Sequence, residues 1–367
     1  MKQIAAVILT VLLLIPLHVR AAADTQEKEY VTALAEAQTG MLLDGRNADL
    51  QVPAGTQTKL MTVYLAAEQL DPDAQITVPA AAERYPGATV WLRAGEKMSV
   101  RDLLKAVIIG NANDACIALA HAVSGSEQAF VDDMNAAAFT LNMRQTRFAD
   151  CTGISAENVT TAYDLALLCR ALLAFDWLEP LFTAYRDTLR DGETELVSEN
   201  RLTRTYEGIC GMKAGHGDAS GYTLCLAAEQ DGVRMIGVVL GCADDDERFS
   251  IAKKLLAQGF SGYTVTTPDF SAEFLRPLPV KHGTAEAVLA ETGALCAVAV
   301  PKDGRICTAA VLPAYAEAPV RCGQKLGTAA FYCGDTLLCE VPLTAAEDVP
   351  RRDFRRALRM LLSALFR

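Results

Sequence analysis

The chain has 367 residues, 51% hydrophobic and 22% charged, which excludes a disordered protein and leaves room for a large domain plus a smaller module. A formal net charge of −11 argues against nucleic acid as a partner, because phosphates call for a basic face. Eleven cysteines, an odd number without Cys-x-x-Cys or Cys/His metal spacing, point to free thiols rather than a disulfide framework or metal site.

Residues 1–23 read as an export signal: Lys2 supplies the positive start, Ile4–Leu17 the apolar run, and Ala21-Ala22-Ala23 small residues for cleavage. This places the protein outside the cytoplasm, at the outer face of the cell membrane. Losing that segment, with Lys2 and Arg20 and no acid, takes the net charge to −13. Helical patterns then dominate from 56 to 175. An amphipathic helix spans 56–69, Ser99 with Asp102 forms a capping box, helices follow at 112–123 and 125–141, and Thr161 with Asp164 opens another. The apolar runs "YTLCLAAEQ" and "VRMIGVVLGC" are joined by Asp231-Gly232, a hairpin turn pair. One more helix follows, with acids at its start.

Near 264–270 the texture changes to short alternating strands and Gly turns, which predicts a small all-β, sandwich-like module over 264–346. Cys116, Cys169, Cys225 and Cys339 lie inside apolar runs and are expected to be buried. The tail 351–367 carries six arginines and one aspartate, +5, against −18 for the body 24–350. Phe354, Leu358, Leu361, Leu362 and Leu365 make an apolar stripe opposite Arg352, Arg355, Arg356 and Arg359. Such a helix over 347–367 suits an anionic membrane surface, and packing on the β module is the structural alternative.

Three stretches carry candidate chemistry. In Thr56-Gln57-Thr58-Lys59 a hydroxyl and a lysine share one helical face at i and i+3, the arrangement an activated acyl-transfer nucleophile needs. Asn111-Ala112-Asn113 heads an apolar helix, where simple capping is the bland explanation. Lys213-Ala214-Gly215-His216 enters the predicted hairpin, with a lysine that could hold a carboxylate and a glycine that admits a ligand backbone.

Taken together, these resemble the serine D-alanyl-D-alanine carboxypeptidases, the low-molecular-weight penicillin-binding proteins, whose SxxK, SxN and KTG motifs occur in this order. "PAGTQTKLMT" looks like the first motif, "GNANDACIALA" like the second and "GICGMKAGHGDASGYTLCLAA" like the third. "VTTAYDLALLCRALL", "ENRL" at 199–202 and the stretch "GQKLGTAAFYCGDTLLCEVPLTAAEDV" also look like parts of that family. The likeness spans roughly 26–365. It implies a two-lobed α/β (α+β) transpeptidase/β-lactamase-like domain over 24–263, followed by the β module. It also implies peptidoglycan stem peptides as substrate, β-lactams as covalent inhibitors, and no cofactor or metal. By position, Thr56 stands at the nucleophile, Lys59 at its base and Asn111 at the proton-shuttle serine. Asn113 would hold the substrate amide and Lys213 its terminal carboxylate, with Ala214 and Gly215 beside them in the substrate-binding strand, and the N–H groups of Thr56 and His216 would form the oxyanion hole.

Three departures mark the pattern. Thr56 replaces serine and stiffens χ1, Asn111 replaces a hydroxyl that relays protons, and Ala214 removes the KTG hydroxyl. "FADCTGIS" also differs from the family's Asn-Pro-His-Gly. Two readings follow: a carboxypeptidase using Thr56, weak or slow, or a noncatalytic relative that binds peptidoglycan or a cell-wall partner.

Overall fold

The computed structural model describes residues 30–270, 275–352 and 354. The expected signal and the stripe Leu358, Leu361, Leu362 and Leu365 therefore lie outside the described residues. At the centre is a five-stranded antiparallel sheet built from β1 (Val31–Glu36), β2 (Leu42–Asp44), β3 (Ile209–Gly217), β4 (Gly221–Gln230) and β5 (Val233–Cys242), in the order β2-β1-β5-β4-β3. Gln230 pairs with Val233 across Asp231-Gly232, both at positive φ, as the two-residue turn requires.

Successive strand residues point to opposite faces, and both faces are covered. Cys225, Ala227, Val238 and Leu240 join the core beneath a helical layer, α1 (Thr58–Gln69), α2 (Val100–Ile108), α3 (Asn113–Ser124), α4 (Glu127–Thr140) and α5 (Ala162–Leu172). Leu224, Leu226, Met235 and Val239 face the other way, onto α6 (Asp245–Gly262) through Phe249, Ala252 and Leu256. Double burial explains why β4 and β5 read as continuous apolar runs rather than alternating ones.

The expected caps form. Ser99 Oγ accepts from Asp102 N at 3.0 Å and donates to its carboxylate at 2.9 Å, Thr161 caps Asp164 N, and Asp244 caps Glu247 N. At α3, however, the N-cap is Ala112, and neither flanking asparagine caps the helix. α1 is the hub, touching α2, α3, α4 and α5, with Leu60 and Met61 fully buried. Leu60→Ala is expected to cost about 2–5 kcal/mol for that reason, measurable by urea unfolding.

The C-terminal module is all β. A four-stranded antiparallel sheet runs Ala290–Thr292, Thr336–Ala345, Lys325–Cys333, Ile306–Val311, and Tyr263–Thr266 pairs with Val298–Pro301. Val349 is buried in the module's core and bridges to Val320. All eleven cysteines are free. Six, including Cys116, Cys169 and Cys225, are buried in the larger domain, whereas Cys339 is only half-buried and Cys296, Cys307 and Cys322 are exposed. Among the described residues no helix is long and apolar enough to cross a membrane.

Candidate active site

Thr56 lies in a 3-10 turn, Gly55–Gln57, that feeds α1 and sits against the sheet edge at Gly215. Gln57 pins this turn to the sheet, donating from Nε2 to Lys213 O at 3.2 Å and to Thr223 Oγ1 at 2.9 Å. Gly215 is there for contact. A Cβ at that position would stand 1.9 Å from Thr56 Oγ1, so only glycine lets β3 pass over the hydroxyl. Thr56 Oγ1 is buried and has no hydrogen-bond partner.

Lys59 is the second residue of α1 and is 2% exposed. Its Nζ donates to Thr152 O at 2.6 Å, not to Thr56. Burial pushes this lysine below its ordinary pKa, partly opposed by the nearby acids Asp150 and Glu199. Lys213, also 2% exposed, reaches in from β3, with Nζ 3.4 Å from Ile108 O. Burial, reinforced by the positive charge of Lys59, brings its pKa down to about 7. Two buried lysines that act on each other are thus both pressed toward the neutral amine.

Asn111 holds a left-handed backbone, φ 60°, and donates from Nδ2 to Glu199 Oε1 at 2.9 Å. Asn113 donates to Pro86 O at 2.8 Å, close under Gly87, whose Cβ would lie 2.5 Å from Asn113 Nδ2. The Oδ1 atoms of both asparagines are buried without partners. His216 stands at the rim, stacked on Tyr222 and 3.4 Å from Glu199. Ala214 is set apart. Its methyl packs with Leu202 and Leu224 in the cluster on the α6 side of the sheet.

Three residues that sequence reading passed over complete the site. Arg248, 2% exposed on α6, donates from Nη1 to Gly215 O at 2.6 Å and Thr223 O at 3.0 Å, fixing the strand edge over Thr56. Its Nη2 is held by Asp245. Glu199 faces Asn111, His216 and Arg248. Asp150 organises the segment that receives Lys59. Its Oδ1 accepts from Thr152 N, Thr152 Oγ1 and Gly153 N at 2.6–2.8 Å, and its Oδ2 from Ser155 N and Asn158 Nδ2. Glu199 and Asp150 lie inside the stretches "ENRL" and "FADCTGIS" quoted above, whose sequence gives no hint of these contacts, and Arg248 follows the acids that open α6, a pattern too common to single out.

Burial alone would raise the Asp150 carboxyl, but these hydrogen bonds prevail and hold it below the ordinary range. A depressed carboxyl contributes stability above its unfolded pKa of about 4, lost as pH falls through the lower folded value. Asp150→Ala is expected to cost about 3 kcal/mol near neutral pH, roughly 10 °C in melting temperature. Calorimetry should show that difference shrinking once the pH drops below about 4.

Comparison with known proteins agrees with this picture. A D-alanyl-D-alanine carboxypeptidase profile matches residues 18–244, and one for the C-terminal domain of penicillin-binding protein 5 matches 287–351. D-alanyl-D-alanine carboxypeptidase DacC of Escherichia coli is 32% identical over 91% of this chain and 88% of its own length. DacF of Bacillus subtilis is 29% identical over 88% of this chain and 86% of its own. Among solved structures, penicillin binding protein 5 from Haemophilus influenzae superposes with a TM-score of 0.77 at 23% identity, covering 89% of this chain and 98% of that one, a likeness of fold. D-alanyl-D-alanine carboxypeptidase DacD from Francisella tularensis gives 0.70 at 26% identity, covering 89% and 94%.

Proposed function

Because the chain belongs to the D-alanyl-D-alanine carboxypeptidase family, we propose that its cleft binds the end of a peptidoglycan stem peptide and that Thr56 accepts the acyl group, slowly. The observation that carries this is the buried, unpartnered Thr56 Oγ1 beneath Gly215. Such an oxygen costs about 1–3 kcal/mol, which a valine of the same shape would avoid. A hydroxyl kept at that cost, beside a lysine biased toward the free base, is suited to attack.

In the proposed reaction the Lys59 amine takes the Thr56 proton as Oγ1 bonds to the penultimate carbonyl carbon. The peptide bond then breaks, the terminal amine leaves with a proton, and water hydrolyses the ester. Backbone N–H groups of Thr56 and His216 serve the oxyanion, Asn113 the substrate amide, and Lys213 the electrostatics of the ligand end. Asn111 cannot relay a proton as a hydroxyl does, so the leaving amine must draw its proton from Lys59 or water. The same fold and cleft support β-lactams as ligands. The N-terminal pattern and basic tail support an exported protein resting on the membrane surface.

One observation favours the second reading, a binding protein without turnover: Lys59 Nζ is engaged by Thr152 O rather than by Thr56. Labelled penicillin separates the two. The expected result is a slow covalent band on folded protein that Thr56→Val removes. Folded protein that binds penicillin by calorimetry yet never forms a band would leave binding alone.

A further inference from the structure

Five of the eleven free cysteines lie in the C-terminal module, and two of them share a wall. Strand Ala290–Thr292 pairs antiparallel with Thr336–Ala345, Ala290 facing Ala345 and Thr292 facing Leu343. Counting on in that register sets Cys296 opposite Cys339. Both line one cavity of about 720 Å³, which Gln38, Leu42 and Tyr163 of the larger domain also line. Cys296 is exposed and Cys339 half-buried. Burial raises the Cys339 thiol above its ordinary pKa, and negative charge on Cys296 raises it further, so the two sulfurs act on each other. The other thiols of the module are placed apart. Cys307 faces Tyr332 and Cys333 faces Ile306 across one strand pair, so their side chains leave on opposite faces. Cys322 Sγ donates to Ala346 O at 3.4 Å.

We propose that Cys296 and Cys339 are a paired thiol site that a disulfide oxidant, small-molecule or protein, closes into a bridge. The proposal stands apart from the stem-peptide reading of the cleft. Opposed strand residues hold their Cβ atoms about 4.5–5.5 Å apart, and a disulfide calls for about 3.8 Å. Residues 293–297 belong to no helix or strand, so this segment can take up the difference. The exposed Cys296 thiolate attacks the oxidant's S–S bond, forming a mixed disulfide and releasing one thiolate. Cys339 gives its proton to water and attacks Cys296 Sγ, which forms the bridge and expels the second thiolate. The pair thereby loses two electrons and two protons, and the oxidant becomes two thiols. The bridge ties segment 293–297 to an interior strand of the four-stranded sheet. The six cysteines sealed in the larger domain are out of an oxidant's reach.

The test incubates the folded full chain with glutathione disulfide and maps its peptides without reduction. Cys296 and Cys339 should appear in one linked peptide, with Cys307 and Cys322 carrying single glutathione adducts. In Cys339→Ser the adduct should remain on Cys296, the intermediate with its second nucleophile removed. The link should also form at least about tenfold faster in the folded chain than in urea, where about 40 residues of free chain separate the two thiols. Separate adducts on Cys296 and Cys339 in the wild type, a bridge from either to another cysteine, or a rate no faster folded than unfolded each overturns the proposal.

Discussion

Replacing Lys213 with methionine is expected to raise the melting temperature by roughly 10 °C at pH 6 while abolishing ligand binding. The fold lowers this lysine from 10.5 to about 7, so protonation is unfavourable in the native state and free of penalty in the unfolded chain. Below about pH 7 both states are charged and the burial penalty is fully present. Between about 7 and 10.5 the native state sheds its proton while the unfolded state keeps it, so wild-type stability rises with pH. Above that range both are neutral and the penalty is gone. Methionine fills the same volume without the charge and should gain on the order of 5 kcal/mol at low pH, with the advantage vanishing toward pH 10.5. Scanning calorimetry at pH 6, 8 and 10 reads this directly, and a lower melting point for Lys213→Met at pH 6 would contradict it.

Thr56→Ser should accelerate acylation by labelled penicillin by about a hundredfold, because a misplacement on the order of 1 Å has that effect on attack. The geometry is specific. The position of a Cβ on Gly215 lies 3.2 Å from the Thr56 methyl, so that methyl abuts the strand edge. Serine removes it and frees χ1, leaving the Gln57 and Lys59 contacts untouched. Adding Ala214→Thr restores the family motif on paper, but the new hydroxyl enters the cluster of Leu202 and Leu224 and costs about 1–3 kcal/mol. The larger gain is therefore expected from position 56. If Thr56→Ser labels no faster than the wild type, the obstruction lies with Lys59, whose Nζ must give up Thr152 O to serve the hydroxyl.

Much of the fold is written in short-range pattern. The capping pairs at Ser99/Asp102 and Thr161/Asp164, the Asp231-Gly232 hairpin and the doubly apolar strands on either side of it each follow from contacts within a few residues. The order of Thr56, Lys59, Asn113, Lys213 and Gly215 was visible only through its resemblance to the family's SxxK, SxN and KTG motifs. What Asn111 does was not. Helix-head asparagines usually cap, yet here Ala112 is the cap and the Asn111 amide reaches Glu199, 88 positions away. The cysteines divide similarly: apolar neighbours were a sound guide in the large domain and a weaker one at Cys339, on a sheet with one open face.

Sequence by itself determined the main helices, the central hairpin and the β module, since those depend on periodicity, caps and turns that act locally, whereas the three motifs were read through resemblance to a family. Only the tertiary structure decided that Val31–Glu36 pairs with Met235–Leu240, that Arg248 pins the strand over Thr56, that Thr152 holds Lys59, and that Glu199 lies among the cations of the cleft. The physical reason is range. Each of these contacts joins segments about 30 to 200 residues apart, and a charge leaves no periodic trace of which distant charge it will meet.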